Sequence, residues 1–160
     1  MEVLDLYDDF ANKLNQTIIR GEKIPSEKNI MLSVAFIKNS KNEFLIQKTS
    51  KEKGGHYSST GGHVKRNETG LETIKRELKE ELGIDIKNEE INYITTFKYP
   101  DKNCIFNVYL LKMDIDLTKI KLQKEEVSEV KYLSQEEINN IIKNDNFLKS
   151  HAYIFKHYIL

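Results

Sequence analysis

The chain has 160 residues, 39% of them hydrophobic, which is enough for one complete hydrophobic core and too few for two. The chain has 25 lysine and arginine residues and 25 aspartate and glutamate residues. This balance excludes a net positive charge that would attract the whole protein to nucleic acid or to an anionic membrane. The N-terminus lacks a secretory signal and no apolar run reaches membrane-spanning length, so we expect a cytoplasmic protein with neither nucleic acid nor membrane as a partner.

The first 28 residues predict two short strands ahead of the main body of the domain. Leu4 to Tyr7 and Thr17 to Ile19 are apolar stretches separated by polar turn residues. No repeat or linker interrupts the chain, so we assign residues 1–28 to an N-terminal extension of a single domain that spans residues 1–160. The apolar residues of the extension also predict a homodimer interface.

The next segment predicts a hairpin followed by a loop. Residues 30–37 are apolar except for Ser33, as in a strand buried on both faces, and residues 38–42 supply a turn. Phe44 to Gln47 is the expected partner strand. From Thr49 to Gly62 the chain is rich in Lys, Gly, Ser and Thr, and we interpret this stretch as a loop next to a functional site.

The second half of the chain predicts three strands and two helices. They are a hairpin of residues 91–97 and 105–113, a strand at 127–133, a helix from the Ser134 capping box through Ile142, and a final helix at 147–158. Cys104, the only cysteine, lies in an apolar run and predicts a buried thiol rather than a reactive one. This order of elements indicates an α+β fold with a mixed sheet between helices.

Between the two halves, the sequence predicts a helix from Gly70 to Leu82. Thr69 and Glu72 form a capping box at its start, and Gly83 stands where a left-handed residue closes a helix. An apolar stripe that packs on the sheet is formed by Leu71, Ile74, Leu78 and Leu82.

Three glutamates lie beside that stripe on one arc of the helix. Glu77, Glu80 and Glu81 stand at i, i+3 and i+4, where each like-charge pair costs an isolated helix about 0.2 to 0.5 kcal/mol. A divalent cation offsets this repulsion, and hard carboxylate oxygens suit Mg²⁺ or Mn²⁺. The alternative interpretation is an acidic helix face exposed to water, which is what most charged stripes are.

The residues before the helix favour the metal site. Gly61 and Gly62 allow the backbone to approach a metal or a phosphate closely. Asn67 tolerates the left-handed conformation in the following turn. Glu68 is placed to pair with Arg76 and so to hold the loop against the helix.

Residues 62–84 match the Nudix box: a glycine, five residues, a glutamate, seven residues, then Arg-Glu-aliphatic-any-Glu-Glu-any-Gly-aliphatic. The fixed positions are Gly62, Glu68, Arg76, Glu77, Leu78, Glu80, Glu81, Gly83 and Ile84. The chain therefore resembles the Nudix hydrolase family. This resemblance implies the Nudix fold, a mixed β-sheet sandwiched between α-helices in an α/β/α arrangement.

The resemblance also implies roles for individual residues. It maps the metal ligands to Glu77, Glu80, Glu81 and the backbone carbonyl of Gly61, with Mg²⁺ or Mn²⁺ as the cofactor. A further glutamate before a late strand corresponds to Glu126, or less well to Glu125, although an exposed turn glutamate is an equal alternative. We expect Glu80 or Glu126 to act as the general base and assign Arg76 to the catalytic group.

Substrate contacts are expected from Gly62 and from basic residues before the box. Lys48, Lys51, Lys53 and His56 are candidates for phosphate binding, although lysines in such loops are more often simply solvated. His56 and His63 lack clustered Cys or His partners, which excludes a zinc site.

In family terms the reaction is metal-dependent hydrolysis of the phosphoanhydride (diphosphate) bond in a small molecule, a nucleoside diphosphate linked to another moiety. The segment from Asp5 through Gln47 also looks similar to the isopentenyl-diphosphate isomerase branch, which makes isomerisation an alternative. That branch places a cysteine before the box, whereas residues 56–63 contain none. A non-catalytic nucleotide-sensing module is the second alternative, and the intact glutamates count against it.

Overall fold

The computed structural model describes all residues, 1–160, as a mixed sheet with helices on both faces. The strands are β1 Val3–Tyr7, β2 Lys13–Ile19, β3 Ile30–Lys38, β4 Phe44–Thr49, β5 Tyr57–Ser58, β6 Thr60–His63, β7 Ile91–Lys98, β8 Cys104–Lys112 and β9 Val127–Leu133. The α-helices are α1 Gly70–Leu82, α2 Gln135–Lys143 and α3 Lys149–Ile154, and a π-helical segment, Phe155–Ile159, continues α3. None of the helices has the length and apolar composition needed to cross a bilayer.

The two faces of the sheet bury separate apolar clusters. On one face, Ile74 and Leu78 of α1 pack in a cluster with Ile37 of β3. On the other, Ile138 of α2 and Phe155 beyond α3 pack in a cluster with residues of β3, β4 and β8. Burial of both faces explains why β3 is almost continuously apolar. The predicted α+β fold is therefore confirmed.

The central strand β3 pairs differently from the sequence prediction. It runs parallel to β8, with Val34 opposite Val108, and β8 in turn pairs antiparallel with β7 as predicted. The predicted β3–β4 hairpin is reduced to one pair, Lys38 with Phe44. Beyond that pair β4 leaves β3 and pairs with β9, and β6 takes the vacated edge of β3. The predicted loop at 49–62 thus contains β5 and the start of β6, because backbone pairing outweighs its poor strand propensity.

The N-terminal extension forms a hairpin, β1–β2, that is packed against the rest of the chain. Tyr7 shares a small buried cluster with Met31, Val64 and Ile105. Leu4 is also buried, with only 1% of its surface exposed, within the chain itself. The predicted homodimer stays a prediction, and Leu4, one of the residues that motivated it, is already buried inside the chain.

Two smaller expectations change in detail. The final helix begins at Lys149 rather than at residue 147, and its last turns are π-helical. Cys104 is half-buried rather than fully buried, and burial raises the pKa of its thiol. An un-ionised thiol agrees with the prediction of an unreactive cysteine.

Candidate active site

The box forms a strand, a turn and a helix whose local geometry agrees with the sequence. The Thr69 hydroxyl accepts a hydrogen bond from the Glu72 N–H at 3.1 Å, and the Glu72 carboxylate accepts one from the Thr69 N–H at 3.0 Å. Gly83 closes α1 with a φ of 70°, in the left-handed region. Both predicted ends of the helix are confirmed, so the side chains of α1 take the positions that the spacing predicts.

The two glycines of β6 allow the strand to pass directly beside α1. A Cβ atom added to Gly62 would overlap the carboxylate of Glu77. A Cβ atom added to Gly61 would lie 2.8 Å from the Ser33 carbonyl oxygen and 3.3 Å from Cε1 of His151. A side chain at position 61 would meet fixed backbone, and one at position 62 would displace Glu77. The backbone of β6 therefore forms one wall of the site.

Arg76 connects the turn, the strand and the helix. Its Nε donates to Oε2 of Glu68 at 2.8 Å and its Nη2 donates to Oε1 at 2.9 Å, as the sequence predicts. Burial opposes ionisation of Glu68, but the hydrogen bonds from Arg76 and Thr73 outweigh it and lower the pKa of Glu68 to about 2. Arg76 also donates to the His63 carbonyl at 3.0 Å and to Oε1 of Glu77 at 2.8 Å. The guanidinium thus fixes the position of the Glu77 carboxylate through Oε1.

The three glutamates of α1 have different environments. Glu81 is buried: Oε2 accepts a hydrogen bond from Nε2 of Gln47, and Oε1 has no hydrogen-bond partner. Burial, followed by the neighbouring charge of Glu77, raises the pKa of Glu81 well above its ordinary value. Burial also raises the pKa of Glu77. These two carboxylates face each other in a setting where neither ionises easily.

Glu80 stands apart from that pair. Its side chain is 46% exposed, and Oε2 lies 3.4 Å from Nη1 of Arg76. No three His, Cys, Asp or Glu side chains are grouped as ligands around one point in this arrangement. The structure therefore brings two of the three predicted carboxylates together and leaves the third at the edge of the same cavity.

Gln47 is a site residue that the sequence analysis missed. It lies on β4 with 4% of its surface exposed, and its Oε1 accepts a hydrogen bond from the Thr60 hydroxyl at 3.2 Å. Because its amide donates to Glu81, it fixes the orientation of that carboxylate. The signal was a polar residue inside the apolar run of a buried strand.

These residues line a cavity of about 210 Å³, which we call the carboxylate cavity. It is lined by Glu2, Arg20, Lys53, Gly61, Gly62, His63, Glu77, Glu80, Glu81, Gln123 and Glu126. Glu126 is thus brought to the site from the segment before β9, and its Oε1 lies 3.3 Å from Nζ of Lys53. Glu125 is not among the lining residues.

A second cavity of about 670 Å³, the larger cavity, meets the first at His63. Its apolar lining includes Ile24, Ile30, Leu32, Tyr99, Cys104, Phe106, Phe147 and Leu148. Its polar lining includes His56, Asn103, Asp145 and Ser150. Burial, followed by the charge of Arg20, lowers the pKa of His63 to about 4, so the residue between the cavities is neutral at pH 7.

Lys48 is placed away from both cavities. Its Nζ lies 5.2 Å from the ring centroid of Tyr57. Neighbouring residues on a strand point to opposite faces, so Lys48 is turned away from the face where Gln47 meets Glu81. Its assignment to substrate binding stays a prediction that the geometry does not support.

Known proteins resemble this chain in sequence and in fold. The family profile of the NUDIX domain matches residues 31–158. An uncharacterized Nudix hydrolase of Listeria innocua is 32% identical over 155 residues, which covers 92% of this chain and 89% of that protein. The crystal structure of DR0079 from Deinococcus radiodurans has a TM-score of 0.76 at 22% identity and covers 91% of each chain, a likeness of fold alone.

A larger protein shares the fold as one of its parts. It is a bifunctional NMN adenylyltransferase/ADP ribose pyrophosphatase of Francisella tularensis, complexed with AMP and a manganese ion. Its TM-score is 0.65 at 24% identity, over 80% of this chain and 40% of that protein.

Proposed function

Because the chain belongs to the Nudix family of hydrolases, we propose that it hydrolyses the phosphoanhydride bond of a nucleoside diphosphate linked to another group. The observation that carries this proposal is the carboxylate of Glu81. It is buried next to Glu77, one of its oxygens has no partner, and it lies in a cavity that reaches solvent. Two such carboxylates stay charged side by side only at a cost in free energy, which a bound cation offsets.

The residues present fit Mg²⁺ or Mn²⁺. The donors are carboxylate oxygens of Glu77 and Glu81, with Glu80 at the edge and the Gly61 carbonyl on β6, and all are hard oxygen ligands. The cavity offers no cysteine and only one histidine, so its donors do not suit zinc. These four residues are our proposed ligands.

When bound, the cation would offset charge on the phosphate oxygens and lower the pKa of the attacking water. The chain's own residues do the rest. Arg76 keeps the carboxylate of Glu77 in place, and the backbone of β6 at Gly62 lines the cavity in which we place the phosphates. Glu80 or Glu126 takes the proton of the water. A P–O bond to water forms while the bridging P–O bond breaks, which leaves two phosphate products.

The larger cavity is our proposed site for the group attached to the phosphates. Its volume of about 670 Å³ is typical of a small-molecule site. Tyr99 offers an aromatic ring, and Asn103 and Asp145 offer hydrogen-bonding groups, which together suit a nucleoside. The Francisella tularensis protein, which contains this fold as one part, was solved in complex with AMP and a manganese ion, ligands of the two classes proposed here.

The structure adds no support for either alternative function, isomerisation or nucleotide sensing. An isomerase of the isopentenyl-diphosphate type needs a thiol at the reacting centre, whereas Cys104 lines the larger cavity and not the carboxylate cavity. The likeness to that branch stays a prediction. A sensing module has no need to keep a buried, unpartnered Glu81, which lowers folding stability when no cation is bound.

The test is product release from a panel of nucleoside diphosphate derivatives and isopentenyl diphosphate, with Mg²⁺ or Mn²⁺. We expect cleavage that stops with chelator, is lost in Glu81→Gln and is kept in Glu89→Gln, an exposed glutamate outside both cavities. Folding of each variant is checked by thermal unfolding. A folded wild type that binds nucleotides but cleaves none of the panel contradicts the proposal.

The same assay tests the two candidate bases, and Mn²⁺ binding by each variant distinguishes a lost base from a lost metal ligand. Glu80→Gln and Glu126→Gln each remove one carboxylate that lines the carboxylate cavity. We expect one of them to lower kcat by about 100-fold or more, because general-base catalysis contributes that much. A variant that keeps full turnover eliminates the glutamate it replaces.

A further inference from the structure

One wall of the carboxylate cavity comes from outside the box. Glu2, just before β1, and Arg20, just after β2, line it together with Gly62 and Glu77. The NUDIX domain match begins at residue 31, so both residues belong to the extension that precedes it. The extension therefore contributes side chains to the site as well as packing to the fold.

The hairpin that carries these residues is fixed in place. Leu4 is buried and forms an isolated β-bridge with Lys65, in the turn that leads to α1. The N–H of Arg66 donates to the Val3 carbonyl at 2.8 Å, and the N–H of Asn67 donates to Oδ2 of Asp5 at 2.8 Å. Arg20 is thus held beside the glycines and glutamates of the box by several independent contacts.

Arg20 also supplies positive charge, which is scarce in the carboxylate cavity. Five glutamates line the cavity, but only Arg20 and Lys53 bring a lysine or arginine side chain to it. Nη1 of Arg20 lies 2.9 Å from Oε2 of Glu2, and the two side chains are 53% and 33% exposed. An ion pair this exposed is weak and is readily exchanged. A guanidinium presents paired N–H groups that match a phosphate better than they match a single carboxylate oxygen.

We propose that Arg20 binds a phosphate group of the substrate, giving up its contact with Glu2 to do so. The N-terminal hairpin then contributes a substrate-binding residue to the active site. This inference rests on the proposed function, because it assigns the phosphates to the carboxylate cavity. It adds a residue that the box does not contain.

The test measures binding of two probes, inorganic pyrophosphate and α,β-methylene-ADP, in the presence of Mg²⁺. We expect Arg20→Gln to weaken both Kd values about tenfold or more and to raise KM with little change in kcat. Arg20→Lys keeps the positive charge but loses the paired N–H donors of the guanidinium, so it should bind the probes more tightly than Arg20→Gln and less tightly than wild type. Arg66→Gln removes an exposed arginine outside the cavity and leaves binding unchanged.

Glu2→Gln separates phosphate binding from a structural role of the ion pair. It breaks the same pair as Arg20→Gln but frees the guanidinium, so the probes bind at least as tightly as to wild type. Equal weakening by Glu2→Gln and Arg20→Gln, or unchanged binding in Arg20→Gln, overturns the assignment of Arg20. If wild type binds neither probe and cleaves nothing in the panel, the proposed function itself fails, which is a different result.

Discussion

The two cavities that meet at His63 are built in opposite ways. None of the 11 residues around the carboxylate cavity is hydrophobic, and six of them lie between Gly61 and Glu81. The larger cavity has eight hydrophobic residues among 15. They come from the segment before β3, from β3 and β8, from the turn between β7 and β8, and from the residues before α3. One cavity is therefore specified mainly by a continuous segment, and the other depends on how distant segments pack. We expect changes in the box residues of the first cavity to act on kcat. Changes in the larger cavity, like those at the phosphate-binding residues Arg20 and Lys53, are expected to act on KM.

The largest effect is expected for Gly62→Ala. The added Cβ overlaps the carboxylate of Glu77, so either β6 or Glu77 must move. A displacement of about 1 Å in a catalytic group lowers turnover roughly 100-fold, and we expect a loss of at least that size in kcat. Steady-state kinetics on the substrate found in the panel checks this. Normal kcat in a folded Gly62→Ala protein contradicts the close packing of β6 on Glu77.

The next effect concerns His151, a buried residue of α3 beside the larger cavity. Its neighbour Ser150 lines the larger cavity, and its Nδ1 accepts a hydrogen bond from the Ser59 N–H at 3.2 Å. Burial lowers the pKa of His151 to about 4, below its ordinary 6.5. The unfolded chain thus binds this proton more readily, so stability is complete above pH 6.5 and falls as the pH approaches 4.

We expect a loss of up to about 3 kcal/mol in the free energy of unfolding from this residue between pH 7 and pH 4. Urea unfolding across that range checks it, with His151→Asn as the variant that keeps an acceptor but does not titrate. The variant should lose less stability than wild type on acidification. The same pH dependence in both proteins rules out His151 as the source.

A smaller effect is expected in the larger cavity. Tyr99 packs edge-on against Phe106, with ring centroids 5.7 Å apart, and lines the proposed nucleoside site. Tyr99→Ala should raise KM about three- to tenfold and leave kcat nearly unchanged, because one aromatic contact contributes about 0.5 to 1.5 kcal/mol. Tyr93→Ala, an exposed tyrosine outside both cavities, is the control. A fall in kcat with constant KM in Tyr99→Ala would contradict the assignment of the larger cavity to substrate binding.

The smallest effect is expected at Lys53. Its ion pair with Glu126 is half-exposed, so Lys53→Gln should change stability by less than about 1 kcal/mol. Its position in the carboxylate cavity predicts a KM raised about threefold, and Lys41→Gln serves as an exposed control. Lys48→Gln, measured alongside, tests the phosphate contact predicted from sequence. A larger effect at Lys48 than at Lys53 means that the substrate lies elsewhere.

The sequence predicted what depends on local chemistry. The capping box of Thr69, the closing Gly83 and the Glu68–Arg76 pair follow from short-range rules, and each is present in the structure. Pairing between distant segments was not predictable in the same way. The β3–β4 hairpin was expected because the two strands are adjacent in sequence, but β9 competes for β4 and β6 for β3. A local sequence pattern does not reveal which of two competing strands will pair with a given edge.

The same limit applies to the site. Gln47 and Arg20 have no motif around them, and they become site residues only because β4 and the N-terminal hairpin pack beside α1. The larger cavity was missed for the same reason. Even within the box, the spacing that places Glu80 on the arc of Glu77 does not reveal that the Glu80 side chain is 46% exposed while Glu81 is buried.

The central claim is that the carboxylate cavity binds a divalent cation through Glu81. Titration of Mn²⁺, followed by its paramagnetic resonance signal, measures this binding without any substrate. We predict saturable binding to wild type and to Glu89→Gln, and binding weakened at least tenfold in a folded Glu81→Gln protein. Equal Mn²⁺ binding by wild type and Glu81→Gln would contradict the account, because Oε1 of Glu81, which has no hydrogen-bond partner, would then not be a ligand of the cation.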